Sequence, residues 1–119
     1  MPIDRTTRRI VAALMREGRV RRAYLGIAGG TRPLPPLAAR ATGRERAVEV
    51  VEVIEGSPAA RAGLRPEDLL LELDGERIED VGDLQAAMVG ERIGRTVEVK
   101  VFRDGRLLSL PVTLRELDG

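Results

Sequence analysis

The chain has no cysteine, no histidine and no tryptophan, and it carries one tyrosine, Tyr24, and one phenylalanine, Phe102. Without cysteine there are no disulfides and no thiolate chemistry, and the redox compartment is left open. Without histidine the usual general base and the commonest metal ligand are both missing. A Ser-His-Asp triad therefore cannot be assembled, and no Gly-x-Ser-x-Gly elbow is present. A metal site would have to rest on carboxylates alone, and Glu67-Asp68 and Glu79-Asp80 read as turn and cap residues, so no metal and no cofactor are expected. Long hydrophobic runs are also absent. Val50 to Ile54 is broken by Glu52, far short of the ~20 residues of a membrane span, and the polar, charged N-terminus has no signal-peptide pattern. The 20 basic and 19 acidic residues nearly cancel to +1, which leaves no long-range field to recruit nucleic acid or an anionic membrane.

What is present is aliphatic. With 43% apolar residues and only 2% aromatic, a core must be built from Val, Ile, Leu, Ala and Met. The length of 119 residues suits one domain. Asp4 as a cap, the spacing of Ile10, Val11, Leu14 and Met15, and Gly18 as a stop predict a helix over 4–17 with Arg5, Arg8, Arg9 and Arg16 on its other face. Residues 19–29 read as extended, with Gly29-Gly30 breaking the run, and the prolines at 33, 35 and 36 predict a mobile loop up to Arg46 that includes one short helical stretch around Leu37 to Ala41.

From Ala47 the pattern becomes regular. Val48 to Ile54 predicts a strand buried on both faces. Ser57 as cap, Pro58 in the first position and Gly63 as terminator predict a one-to-two-turn helix. Leu69 to Leu73 predicts a strand, Asp74-Gly75 a tight turn, and Arg77-Ile78 a short return. A second helix is expected from Val81 to Val89, capped by Asp80 with Asp83 three residues on and ended by Gly90. Val97 to Val101 and Leu108 to Leu114 alternate as two strands about a turn at Asp104-Gly105, and Pro111 places the last strand at an edge or bends it. The sum is an α+β domain on a small, mostly antiparallel barrel or sandwich with two helices, plus an N-terminal helix.

In this order the residues resemble the PDZ domain of HtrA (Deg) type serine proteases. The matching pieces are Tyr24-Leu25-Gly26-Ile27, then Gly56 through Leu64, Asp68 to Gly75, Asp83-Leu84 and Arg103-Asp104-Gly105, together spanning about residues 20–115. The resemblance implies residues 1–18 as a linker helix after an absent protease domain and 19–119 as the PDZ domain. It also implies a location outside the cytoplasm, with unfolded or C-terminal polypeptide segments and the parent's own protease domain as partners. Nucleic acid and direct membrane contact are not expected. The apolar stripe of the first helix would pack on this domain, dimerise, or meet the absent protease body, the last being favoured.

By the same resemblance, the backbone N–H groups of the loop Tyr24, Leu25, Gly26 and Ile27 bind a peptide carboxylate, and Gly26 is where a side chain would obstruct most. Ile27, Ala28 and Gly29 would pair with the peptide backbone, the strand-addition mode for which PDZ domains are a standard example. On the second helix, positions 81, 85 and 88 share a face. Val81, Gln85 and Met88 are thus expected to line the groove, while Leu84 and Ala87 enter the core. Leu25, Ile27, Gln85 and Met88 would enclose the peptide's last side chain, and Val81 would meet the third residue from its end. PDZ domains with histidine at that position prefer Ser or Thr there; valine points to an apolar residue. Arg16, Arg19, Arg21 and Arg22 are either a solvated face or a device that steers carboxylates inward. The competing reading is a structural or regulatory PDZ that assembles a protease without binding free peptide.

Overall fold

A computed structural model describes residues 21–117. The helix expected over 4–17, and with it Arg16 and Arg19, lies outside the described residues.

The strands form where branched and apolar side chains alternate with polar ones. In β6 (Thr96–Arg103), Val97, Val99 and Val101 are buried while Thr96, Glu98 and Lys100 are exposed, the period of two that a pleated strand imposes. Asp104 and Gly105, at φ 52° and 79°, turn the chain into β7 (Arg106–Thr113), which pairs with β6 from Arg103↔Arg106 to Thr96↔Thr113. Asp74 and Gly75, at φ 55° and 81°, likewise join β4 (Leu69–Leu73) to β5 (Glu76–Arg77). Both turns have the two positive φ values that match hairpin twist. β2 (Ile27–Pro33), β3 (Arg46–Val53), β4, β6 and β7 lie in that order in an antiparallel sheet with β5 attached to β4. β1 (Ala23–Tyr24) and β8 (Arg115–Glu116) make a separate two-stranded ribbon. Pro111 sits in β7, an edge strand where its missing N–H deprives no neighbour.

Among the described residues three helices cover the sheet. α1 (Pro36–Thr42) packs Ala38 with Leu34, Ala47 and Leu71, against which Phe102 rests. α2 (Pro58–Ala62) has Ser57 as N-cap, its Oγ accepting from Ala60 N at 3.2 Å, and ends at Gly63 with φ 94°. α3 (Val81–Ala87) is capped by Asp80, whose Oδ1 accepts from Asp83 N at 2.8 Å. Asp83 Oδ2 in turn accepts from Glu79 N at 2.9 Å, one residue before the cap. A 3-10 turn follows over Gly90–Arg92. The main core holds Val48, Leu70, Leu73, Ile78, Val99, Val101, Val112 and Leu114. Beside it the buried Asp68 takes a two-pronged bond from Arg103, both distances 2.7 Å, and accepts from Arg65 N at 2.9 Å. Those bonds to Asp68 hold the Arg103 guanidinium above its ordinary pKa.

Several expectations need correction. Gly29-Gly30 does not break the run: β2 passes through both and continues to Pro33, because β3 supplies a ladder partner at every step, with one bulge between Ala28 and Gly29. The segment 31–46 is therefore more ordered in backbone than a loop: it holds the end of β2, α1, where the short helical stretch was expected, and the start of β3. Residues 19–29 are not one extended run, since Leu25 and Gly26 separate β1 from β2. Burial of β3 on both faces holds for Ala47 to Val50 only; Val51 is 62% exposed. α3 ends at Ala87 rather than Val89, with Met88 leaving helical geometry at ψ 58°, and Gly90 opens the 3-10 turn.

Candidate functional site

β2 pairs with β3 on one side only, so its other edge presents backbone groups to whatever lies alongside. α3 lies there, held by Val81 N donating to Thr31 Oγ1 at 2.9 Å. Between β2 and α3 runs an open groove of about 810 Å³. The nine residues singled out from the sequence, Tyr24, Leu25, Gly26, Ile27, Ala28, Gly29, Val81, Gln85 and Met88, all line it.

The loop at the closed end is fixed from behind by α2. Ala59 N donates to Leu25 O at 2.8 Å and Ile54 N to Gly26 O at 2.8 Å, while Ser57 Oγ donates to Gly26 O at 3.3 Å. Gly26 has φ 93°, a conformation that costs an L-residue about 1–2 kcal/mol. A Cβ there would also lie 2.1 Å from Ser57 Cβ and 2.4 Å from its Oγ. Two separate requirements, backbone conformation and space, thus demand glycine.

With the Leu25 and Gly26 carbonyls turned towards α2 and β3, the loop's donors face the groove. Among the described residues neither Leu25 N–H nor Gly26 N–H has an acceptor within the chain. The bond from Ile54 N to Gly26 O makes Ile27–Val53 a non-hydrogen-bonded pair of the ladder, so Ile27 N–H also points away from β3. Three consecutive N–H groups around a glycine at positive φ are a concavity suited to an anionic oxygen. The bonds they can give a carboxylate are charge-assisted, and they need no lysine or arginine.

The side walls are apolar. Met88 is 8% exposed at the floor, with Leu25 buried and Ile27 half-buried opposite. Ala87 enters the core as expected, but Leu84 is only half-buried: it packs against the core and also lines the groove. Leu84 lies in the last turn of this seven-residue helix, close to Met88. Gln85 and Val81 complete this wall, the former exposed and the latter half-buried.

Reading the sequence missed Leu117 and Val48 as groove residues. It gave Arg22 only as part of a basic cluster, and it treated Ser57 as a cap alone. Arg22 and Leu117 come to the groove through the β1–β8 ribbon, where Leu117 N donates to Arg22 O at 2.8 Å. No local signal marks that pairing, because each partner strand has two residues. Among the described residues Arg22 is the one charged residue on the groove lining, and its guanidinium donates to Gln85 O. Arg115 lies 5.1 Å above the Tyr24 ring centroid, in range of a cation–π contact. Among the described residues no carboxylate lines the groove, and no group of His, Cys, Asp or Glu residues could hold a metal ion.

The PDZ domain family model matches residues 35–114. The serine endoprotease DegS of Escherichia coli K12 is 34% identical over 110 residues, covering 91% of this chain and 30% of DegS. A probable periplasmic serine endoprotease, DegP-like, of Chlamydia muridarum is 30% identical over 112 residues, covering 92% of this chain and 22% of that protein. Among solved structures, the HtrA-type protease AlgW with a decapeptide superposes with a TM-score of 0.73 at 25% identity, over 92% of this chain and 34% of that one. The HtrA3 PDZ domain bound to a phage-derived ligand, FGRWV, shares the fold with a TM-score of 0.62 at 22% identity, over 82% of this chain and 88% of that one. The chain spans between a fifth and a third of the length of these two curated relatives.

Proposed function

The chain belongs to the PDZ domain family and corresponds to the PDZ region of HtrA/Deg serine proteases, and from that premise we propose that its groove captures the C-terminal end of a hydrophobic peptide as an added strand beside β2. The observation that carries the reading is the set of three N–H groups at Leu25, Gly26 and Ile27, without acceptors and at the closed end of an apolar groove. Unpaired backbone donors are costly unless water or a ligand satisfies them, and a carboxylate satisfies several at once. The peptide backbone continues along Ile27, Ala28 and Gly29. Its last side chain enters the pocket of Leu25, Ile27, Gln85 and Met88, where the flexible thioether accommodates Val, Leu, Ile, Ala or Phe. Val81 faces the third residue from the end and favours an apolar side chain there.

Each added backbone bond contributes about 0.5–1.5 kcal/mol after desolvation, so an affinity near micromolar, about −8 kcal/mol, is expected. The solved relative AlgW carries a decapeptide, which supports peptide capture as the mode. The match covers 30% of DegS. In a parent serine endopeptidase outside the cytoplasm, the module tethers unfolded or mislocalised substrates near the protease or relays their arrival to it.

The test is titration with peptides ending in Val, Leu or Phe, each compared with its C-terminal amide. Amide signals of Leu25 to Gly29 and Val81 to Met88 are expected to shift with the free acid and much less with the amide. Equal response to acid and amide would remove the carboxylate role. No shift with any peptide would leave a structural or regulatory module as the function.

A further inference from the structure

The floor of the groove is Met88, which sits just past the end of α3, where the last carbonyls of a helix lack partners. α3 has no basic residue in its last turn. One arrives from outside: Arg92, 9% exposed, donates through Nη1 to Ala87 O at 2.7 Å. Its other donors reach the β4–β5 hairpin, Nε to Asp74 Oδ2 at 3.0 Å and Nη2 to Glu76 Oε2 at 2.9 Å. Burial lowers the Arg92 pKa, but the bonds to Glu76 and Asp74 outweigh it and leave the pKa above its ordinary value, so the side chain stays charged. Asp74 is itself tied to the sheet, its N–H donating to Glu98 O at 2.8 Å. On the far side of Met88, its carbonyl accepts from Ala23 N at 3.2 Å.

We infer that Arg92 is a positioning residue for ligand selectivity: its planar fork fixes the end of α3 to the rigid β4–β5 turn and thereby sets the depth of the Met88 pocket for the peptide's last side chain. The inference rests on the peptide-capture reading above. A guanidinium is needed because three separate acceptors, Ala87 O, Asp74 and Glu76, lie around one group; the ammonium of lysine is a compact charge on a flexible stem and cannot hold all three in one plane. The carboxylate loop is fixed by α2 and not by Arg92, so the two halves of recognition are separable.

The experiment compares wild type with Arg92→Lys, and with Glu76→Gln as the milder variant that retains the arginine if the first does not fold. A control, Arg103→Lys, perturbs a half-buried arginine that binds Asp68 away from the groove. Peptides identical except for a terminal Val, Leu or Phe, and their amides, are titrated at a temperature where thermal unfolding shows each variant fully folded. With Arg92→Lys the ratio of Kd values between Val-ending and Phe-ending peptides is expected to move at least fivefold, and with Glu76→Gln about twofold. The acid-to-amide ratio should stay within twofold for both variants, and Arg103→Lys should leave both ratios unchanged. A uniform loss across all peptides, or unchanged terminal selectivity in folded variants, would overturn the inference. If wild type binds no peptide, it is the peptide-capture reading that fails.

Discussion

The two walls of the groove are built by different means. The loop Tyr24 to Ile27 is held by backbone bonds and by a glycine that nothing else can replace: Ala59 N, Ile54 N and Ser57 Oγ all take its carbonyls. The α3 wall is a seven-residue helix attached through side chains, Asp80 and Thr31 at its start and Arg92 at its end. The first wall offers N–H groups that every peptide end can use; the second offers Val81, Gln85 and Met88, whose identities decide which peptide fits. A substitution in the loop should thus change how strongly any ligand binds, and one in α3 should change which ligand binds.

The sharpest way to break the first wall is Gly26→Ala. Positive φ and contact with Ser57 together should destabilise the domain by about 2–4 kcal/mol, read as the midpoint of urea unfolding, and weaken every free-acid peptide more than tenfold. Next in size is Ser57→Ala, which removes the α2 cap and the hydroxyl on Gly26 O; about 1 kcal/mol of stability should go, with all acid peptides weakened alike. Asp80→Ala costs a similar or slightly smaller amount, about 0.5–1.5 kcal/mol, but on the other wall, so its effect should differ from peptide to peptide. The smallest effect on stability, within about 0.5 kcal/mol, belongs to Val81→His, which should nonetheless turn preference at the ligand's third residue from apolar towards Ser or Thr, measured on a peptide library. If Ser57→Ala altered terminal preference, or Val81→His weakened all ligands equally, the division between the walls would be wrong.

The same division separates what the sequence disclosed from what it did not. Local signals were sufficient for the Asp-Gly turns, for α2 with Ser57, Pro58 and Gly63, and for the Asp80 cap, because each is settled by the conformational preferences of a few neighbouring residues. The family resemblance, with helical spacing for Val81, Gln85 and Met88, picked out nine of the residues that line the groove, Gly26 among them. What failed depended on distant partners. Gly29-Gly30 looked like a stop, but β3 recruits it into β2. Gly90 looked like the end of a helix that Met88 had already left, under bonds from Ala23 and Arg92. Leu84 looked like core at helical spacing, and it both packs against the core and lines the groove. Arg22 and Leu117 reach the site through a ribbon whose two-residue strands have too little pattern to read.

That ribbon has a mechanical consequence. Arg22 and Leu117 lie side by side at one end of the ribbon, so a pull between them would peel β1 from β8 one bond at a time rather than shear them together. The Leu117–Arg22 bond would part first and the Tyr24–Arg115 pair after it, at the very residue where the carboxylate loop begins. Tension between Arg22 and Leu117 would thus reach the first residue of the carboxylate loop before it reached the core, as in a strain gauge wired to the groove.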